Sequence, residues 1–307
     1  MVAAGDFNHN SDADIILQNT DGLTQIWLMN GSSVTNTVAL GNPGSAWHVI
    51  ATGDFNDDGN ADILWQNTDG EAAIWEMNGT TFIGGAVFNP GSSSWHVIGT
   101  GDFNGDGYSD ILWQNTDGLT AIWEMNGTNI VGAAVVGNPG SSWHAVATGD
   151  FFGNGYSDIL WQNTDGLAAI WEMNGTSFVA GAVYNPGPSW HVIGTGEFQG
   201  AGTFDIVWQN TDGLPAIWMM NGFSITAAYA LANPGQGWQL EDDGPIPSNQ
   251  MGASGATRPP SNGSNGNLTA SLYLSAPDGT NNSIFGGSGL LPWTPGVKSG
   301  GHGASRP

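Results

Sequence analysis

Cysteine is absent from all 307 residues, and neither lysine nor arginine occurs before Arg258. The lack of cysteine excludes a disulfide scaffold, a zinc-thiolate site and a cysteine nucleophile. The lack of basic side chains excludes nucleic-acid binding, which needs contacts to phosphate, and electrostatic docking to anionic membranes. No apolar run reaches the ~18 residues of a membrane-spanning helix, so we expect no membrane insertion.

Acidic side chains are plentiful by contrast. The chain carries 27 Asp and Glu against 3 Lys and Arg, for a formal net charge of −24. Such a surface favours cationic partners, above all metal ions. Hydrophobic residues make up 39% of the chain and include 15 tryptophans. That is enough material for a core, so this is not the composition of a disordered acidic chain.

An internal repeat organises most of the sequence. The block that begins Gly-Asp-Phe-Asn-Gly-Asp-Gly at Gly101 has equivalents at Gly5, Gly53, Gly149 and Gly196, spaced by 48, 48, 48 and 47 residues. We therefore divide residues 1–243 into the repeats 5–52, 53–100, 101–148, 149–195 and 196–243. The tail, residues 244–307, is rich in Gly, Pro, Ser and Asn and is expected to be flexible or to add an edge strand.

Each repeat contains four short segments typical of β-strands. In the third copy they are residues 110–114, 120–125, 129–136 and 143–147, which are rich in Ile, Val and Trp and bounded by Gly, Asn and Pro. Asp117-Gly118 supplies the positive-φ positions of a hairpin turn. The pattern predicts an all-β fold, a β-propeller of four-stranded antiparallel blades. A solenoid is the less favoured alternative, because solenoid repeats are usually shorter or helical.

The closure of the ring has two interpretations. The chain begins inside the first strand of a blade and leaves the repeats at Trp238, where the equivalent strand begins again. The two ends would complete one shared blade in a closed five-bladed ring, or the five repeats would be part of a larger ring. The abrupt start at Met1 favours a truncated chain, and no signal peptide is visible there.

The loop after each Gly has a pattern of oxygen-bearing side chains. In the third copy, Asp102, Asn104, Asp106 and Asp110 occupy loop positions one, three, five and nine, and the carbonyl of Tyr108 stands at position seven. A hard cation such as Ca²⁺ needs six to eight oxygen ligands, which alternate positions of a tight loop can supply. The pattern is similar to the first half of an EF-hand loop, but Trp113 stands at position twelve, so we expect an Asp-rich loop between strands.

The copies differ in how completely they carry this ligand set. The candidate ligands are Asp54, Asn56, Asp58, Asn60 and Asp62 in the second copy, Asp102, Asn104, Asp106, Tyr108 and Asp110 in the third, Asp6, Asn8, Asn10 and Asp14 in the first, and Asp150, Asn154 and Asp158 in the fourth. The first copy has Ser11 in place of the turn glycine, and the fourth has Phe152 at position three. Ala201 removes a ligand from the fifth copy, where we expect no site. Two to four Ca²⁺ ions are therefore predicted; ordinary polar turns are the alternative.

These blocks resemble the FG-GAP / VCBS repeat, the unit of the integrin-α-type propeller, over about 235 of the 307 residues. The resemblance implies four-stranded blades and Ca²⁺ bound on one face of the ring by the positions named above. Propellers of this family usually have seven blades, and many members are extracellular adhesion proteins, lectins or accessory modules of polysaccharide-degrading enzymes. A secreted location and an extracellular protein or glycan partner follow as expectations.

Catalysis is not expected, because the sequence has no G-x-S-x-G, no H-E-x-x-H and no phosphate-binding Gly-Lys motif. A binding or adhesion module that depends on Ca²⁺ is the first hypothesis. A carbohydrate-binding propeller is the alternative, since a tryptophan such as Trp65, together with Gln66, Asn67 and Glu76, would make a site repeated in every blade. The third possibility is an accessory module of a secreted polysaccharide-active enzyme.

Overall fold

The computed structural model describes residues 3–234, whose regular secondary structure is β-strand alone. Twenty strands form five four-stranded sheets, and in each sheet the strands lie side by side in chain order. The strands are β1 Ala3–Gly5, β2 Asp14–Gln18, β3 Thr24–Asn30, β4 Ser33–Gly41, β5 Trp47–Gly53, β6 Asp62–Asn67, β7 Ala72–Asn78, β8 Thr81–Phe88, β9 Trp95–Gly101, β10 Asp110–Asn115, β11 Thr120–Asn126, β12 Asn129–Gly137, β13 Trp143–Gly149, β14 Asp158–Asn163, β15 Ala168–Asn174, β16 Ser177–Tyr184, β17 Trp190–Gly196, β18 Asp205–Asn210, β19 Pro215–Asn221 and β20 Ser224–Ala230.

The five sheets are the blades of a five-bladed β-propeller, so the predicted fold class is confirmed. All strand pairs within a blade are antiparallel, as in the pairing of β10 with β9 and β11. The inner strands of successive blades lie next to each other, from β1 through β5, β9 and β13 to β17. Residues 3–234 contain no helix that is long and apolar enough to cross a bilayer.

The blades are out of phase with the sequence repeats. Strand β5 closes the first repeat, residues 5–52, but it pairs with β6 of the second repeat and is the inner strand of the second blade. The chain passes from blade to blade at the Asn-Pro-Gly segments, where proline cannot continue a ladder. Each repeat therefore contributes to two blades, which links neighbours covalently.

The first blade is complete within the described residues, because β1 supplies its inner strand. It follows that no second segment is needed to fill that position. Trp238, on which the expectation of a shared blade depended, and the tail of residues 244–307 lie outside the described residues.

The hydrophobic core lies between the blades rather than within them. Four apolar clusters are present, and each combines one face of a blade with the facing side of the next. Leu64 and Ile74 of the second blade, for example, pack with Ile111 and Trp113 of the third, and all four are at most 1% exposed. Within residues 3–234, no cluster joins the fifth blade to the first. A single blade has two apolar faces, so it depends on its neighbours for burial.

A glutamine side chain joins each of the first four blades to the next. The amide of Gln114 donates from Nε2 to the carbonyl of Trp143 (2.8 Å) and accepts at Oε1 from the backbone N–H of Ala145 (3.1 Å). The side chain thus makes the two hydrogen bonds that a neighbouring strand would make. Gln18, Gln66 and Gln162 form the same pair of bonds to the inner strand of the following blade.

We predict that Gln114→Met lowers the free energy of unfolding by about 1–3 kcal/mol, because the carbonyl of Trp143 and the N–H of Ala145 lose their partner in a buried seam. Urea denaturation followed by tryptophan fluorescence measures the change. Gln25→Met, at a half-buried position of β3 in the first blade, is the matched control. Equal destabilisation by the two substitutions would contradict the role of Gln114 in the seam.

Candidate metal centre

The Asp-rich loops all lie on one face of the propeller. Each loop connects the inner strand of a blade to its second strand, and the strand order is the same in all five sheets. The Asn-Gly turns between the third and fourth strands lie on the same face. The Asn-Thr-Asp-Gly turns and the Asn-Pro-Gly connections lie on the opposite face. The topology therefore gathers the loop carboxylates on one side, in a part of the chain that has no lysine or arginine.

The aspartate at loop position one folds the loop around its own carboxylate. In the third blade, Asp102 Oδ1 accepts the N–H groups of Gly105 (2.7 Å) and Asp106 (3.1 Å), and Oδ2 accepts that of Gly107 (2.9 Å). In the second blade, Asp54 accepts the N–H groups at loop positions five and six in the same way. The loop is consequently held in a compact turn before any ion is considered.

The aspartate at loop position nine ties the loop to the third strand. Asp110 is fully buried; its Oδ2 accepts the N–H of Phe103 (2.8 Å) and its Oδ1 that of Met125 (2.8 Å). The same two bonds are made in the other four blades by Asp14, Asp62, Asp158 and Asp205. This aspartate therefore has a structural function in every blade, including the fifth, whose loop lacks the complete ligand set.

The side chains at positions three and five contact each other. Asn104 donates from Nδ2 to Asp106 Oδ2 (3.0 Å), and Asp106 Oδ1 accepts the N–H of Tyr108 (3.0 Å). The second blade repeats both contacts among Asn56, Asp58 and Asn60. The predicted ligands at positions one, three and five are thus brought together in both complete loops.

The first loop contains an oxygen without a partner. Oδ1 of Asn8, at position three, is shielded from solvent and accepts no hydrogen bond among the described residues. Ser11 adopts φ 70, the left-handed conformation that Gly107 adopts at the same loop position with φ 93. The structure thereby explains why glycine belongs at position six, and it shows that the first loop keeps its turn without one. Asp6 and Asn10 make the same kind of loop contacts as their counterparts.

The fourth and fifth loops replace ligands with other contacts. Phe152 packs edge-to-face on Phe223 of the next blade, with ring centroids 4.8 Å apart, so position three of the fourth loop is apolar. Asp150 and Asn154 still make the loop contacts of their counterparts. In the fifth loop, Gln199 donates to Asp205 Oδ1 (2.8 Å). This internal hydrogen bond uses an oxygen that a cation would need, which agrees with the expectation of no fifth site.

Burial disfavours the charged form of these carboxylates. It raises the pKa of Asp62, Asp110 and Asp158 to about 8, while hydrogen bonds from backbone N–H groups oppose the shift. Burial also raises the pKa of Asp14 and Asp54 to about 6, and neighbouring carboxylates add to the effect. A cation in the loop would stabilise the charged form and reverse this balance.

As they stand, no three Asp, Glu or His side chains within residues 3–234 converge closely enough to hold a metal ion. The donor chemistry nevertheless fits Ca²⁺, because each carboxylate oxygen has two lone pairs and a backbone N–H occupies one of them. Asn8 Oδ1, buried without a partner, is an acceptor of the type that a hard cation satisfies. The residues that would hold an ion are those at positions one, three and five, the carbonyl at position seven, and the aspartate at position nine.

The loops also belong to the contact between blades. The carbonyl of Asp54 accepts the N–H of Ser109 (2.7 Å), and the carbonyl of Phe55 accepts the N–H of Gly127 (2.6 Å), both from the third blade. Equivalent bonds join the third loop to the fourth blade and the fourth loop to the fifth. Any ion that orders a loop would therefore also strengthen the contact with the next blade.

The residues proposed for a repeated sugar site do not form one. Trp65 is 1% exposed and belongs to the core between the first and second blades. Gln66 uses both amide atoms in the seam with the third blade. Asn67 ends β6 at the face opposite the Asp-rich loops, whereas Glu76 approaches the Asn-Gly turn of the third blade on the loop face. A glycan site built from these residues in every blade is therefore not supported.

The geometry defines a β-propeller with an Asp-rich loop in each blade, and comparison with known proteins assigns the family. A family model described as "FG-GAP-like repeat" matches residues 6–65, 54–113 and 102–161, which together cover about half of the 307 residues. The chain belongs to this FG-GAP-like repeat family. No curated protein matches the chain.

Among solved structures, one described as "Structure of Dos1 propeller" is similar at 13% identity and a TM-score of 0.46. The match covers 70% of this chain and 57% of that chain, so this chain spans little more than half of that protein's length. The fold of this chain is established by its own strand pairing.

We predict that, without divalent cations, the free energy of unfolding falls as the pH rises from about 4 to about 8. The native pKa of Asp62, Asp110 and Asp158 lies above the unfolded value of 3.8, so the native state binds more protons across this window. Urea denaturation in EGTA at several pH values measures the slope. High salt screens the general repulsion between surface carboxylates. A stability that is flat or rises with pH under these conditions would exclude buried, protonated aspartates.

Proposed function

We propose that the chain is a secreted, non-catalytic binding module whose propeller is stabilised by Ca²⁺ in the Asp-rich loops. The observation that supports this proposal best is the coincidence of complete ligand sets in the second and third loops with a region that lacks any lysine or arginine. Protein cations are therefore not available to neutralise these carboxylates, and a metal ion is the simplest counter-charge.

The expected location follows from the type of ligand. Loops with oxygen ligands in extracellular modules bind Ca²⁺ with Kd values of about 0.1–1 mM. Ions at that affinity would load outside a cell, where Ca²⁺ is abundant, and the absence of cysteine is compatible with this location. When bound, Ca²⁺ supplies charge neutralisation and loop order, and the chain's own residues supply the recognition surface.

Binding rather than catalysis is proposed because the conspicuous polar groups are already engaged in the structure. Asp110 and its equivalents bond the backbone, and Gln114 and its equivalents join the blades. The outer strands β8, β12 and β16 expose apolar side chains such as Phe82, Val131 and Phe178, with exposed fractions of 52%, 59% and 48%. Such surfaces are typical of protein contacts, which fits an extracellular protein partner.

We predict that Ca²⁺ raises Tm in a saturable way, with two to four ions bound per chain, and that Mg²⁺ does not. At a Ca²⁺ concentration of 100 Kd, each site would stabilise the fold by about 2.7 kcal/mol. Calorimetry gives the stoichiometry, and differential scanning fluorimetry gives the shift in Tm.

Asp106→Ala is expected to remove one ion, whereas Asp117→Ala, in a turn on the opposite face, is the matched control. No change in Tm at millimolar Ca²⁺, with no bound ion, would reject the calcium part of the proposal. Indistinguishable stoichiometries for the two variants would reject the third loop as a site.

A further inference from the structure

An aromatic cleft lies between the fourth and fifth blades, away from the Asp-rich loops. It has a volume of about 120 Å³ and is lined by Trp190, Trp208, Trp218, Tyr229, Pro186 and three alanines. The alanines are Ala216, Ala228 and Ala230. The Tyr229 phenol is the one ionisable side chain in the lining, so the cleft suits a neutral ligand.

The cleft arises from small side chains on the outer strand of the fifth blade. Ala230 pairs with Ala216 in the register that Val183 and Ala169 share in the fourth blade. Valine also occupies this place in the second and third blades, as Val87 and Val135. The fifth blade therefore lacks two methyl groups next to its tryptophans.

A second difference exposes the same tryptophans. In the second and fourth blades, Phe82 packs on Trp75 at 5.3 Å and Phe178 packs on Trp171 at 5.1 Å between ring centroids. The equivalent residue in the fifth blade is Ile225, which pairs with Met220 as Phe82 pairs with Met77. Trp218 consequently has no phenylalanine ring over it from its own outer strand.

The rings of the cleft are held in place from behind. Trp208 and Trp218 pack at 4.7 Å with an interplanar angle of 50°, and Tyr184 of the fourth blade packs edge-on against Trp218 at 6.0 Å. Trp208 is 1% exposed, and its indole N–H has no acceptor among the described residues. The cleft thus combines preorganised aromatic surface with a buried donor that lacks a partner.

We propose that this cleft binds a neutral saccharide. The C–H face of a pyranose ring packs on the exposed indole surface, and a hydroxyl oxygen accepts the hydrogen bond from the Trp208 indole N–H. The indole N–H groups of Trp65, Trp113 and Trp161 also lack acceptors. In those blades, however, a valine takes the place of Ala230. This arrangement predicts one saccharide site in the described part of the chain, in contrast to a site in every blade.

The inference rests on the proposed binding function but not on its calcium part. The cleft shares no residue with the Asp-rich loops, so binding measured in EGTA and in Ca²⁺ separates the two. Saccharide binding in EGTA would support the cleft even if the loops bind no ion, and calcium binding without saccharide binding would reject the cleft alone.

The test is a panel of neutral mono- and oligosaccharides, measured on the full chain by ligand-observed NMR and intrinsic tryptophan fluorescence. Ala230→Val fills the cleft with the side chain that the other blades carry, so it should fold normally, which Tm verifies. We expect it to weaken binding by about tenfold or more. Val183→Ala, the reciprocal change in the fourth blade, is the matched control and should leave the affinity unchanged.

Three outcomes would overturn the proposal. The first is that no saccharide binds the unmodified chain at millimolar concentration. The second is equal affinity for Ala230→Val and the unmodified chain. The third is that a proline-rich peptide with the sequence of residues 245–260 binds the cleft while saccharides do not, which would assign the aromatic surface to a peptide. A loss of affinity in Trp208→Phe, which keeps the ring plane and removes the N–H, would further support the hydrogen bond.

Discussion

The carboxylate of the last aspartate in each loop is the interaction on which the rest of each blade depends. Asp110 and its four equivalents are fully buried and hold two backbone N–H groups, one in the loop and one in the third strand. Burying a charged group is costly unless it is hydrogen-bonded, and no basic side chain is available in these repeats to pair with it. The backbone therefore provides the compensation, and the loop is fixed to the sheet as a result.

This arrangement connects the loops to the assembly of the propeller. The loop that Asp62 fixes in turn bonds the next blade through the carbonyls of Asp54 and Phe55. Gln66 joins the same two blades from the other end of the second strand. The apolar faces between them are buried only when the blades are adjacent, so polar seams and apolar cluster form together. Loop order, blade contact and core burial are consequently parts of one cooperative unit.

The fifth blade differs from the others both in its loop and on its outer strand. Gln199 fills the loop with an amide that bonds Asp205, and Ala230 opens the cleft beside Trp218. The three central repeats are nearly identical, whereas the last has lost ligands on one face and gained an aromatic cleft at its boundary with the fourth blade. Divergence of one copy in a repeat protein is a simple way to place a single distinct site on a regular scaffold.

The sequence alone was sufficient to predict the fold, because a repeat with four strand-like segments and turn residues at constant spacing can bury its apolar faces only against copies of itself. It also identified the Asp-rich loops, since ligand spacing is a local property. The phase of the blades, the role of Gln114 and the backbone bonds of Asp110 required the tertiary structure. Each depends on a partner in another strand or blade, from 7 to 31 residues away for these contacts, and local spacing does not encode which buried group meets which.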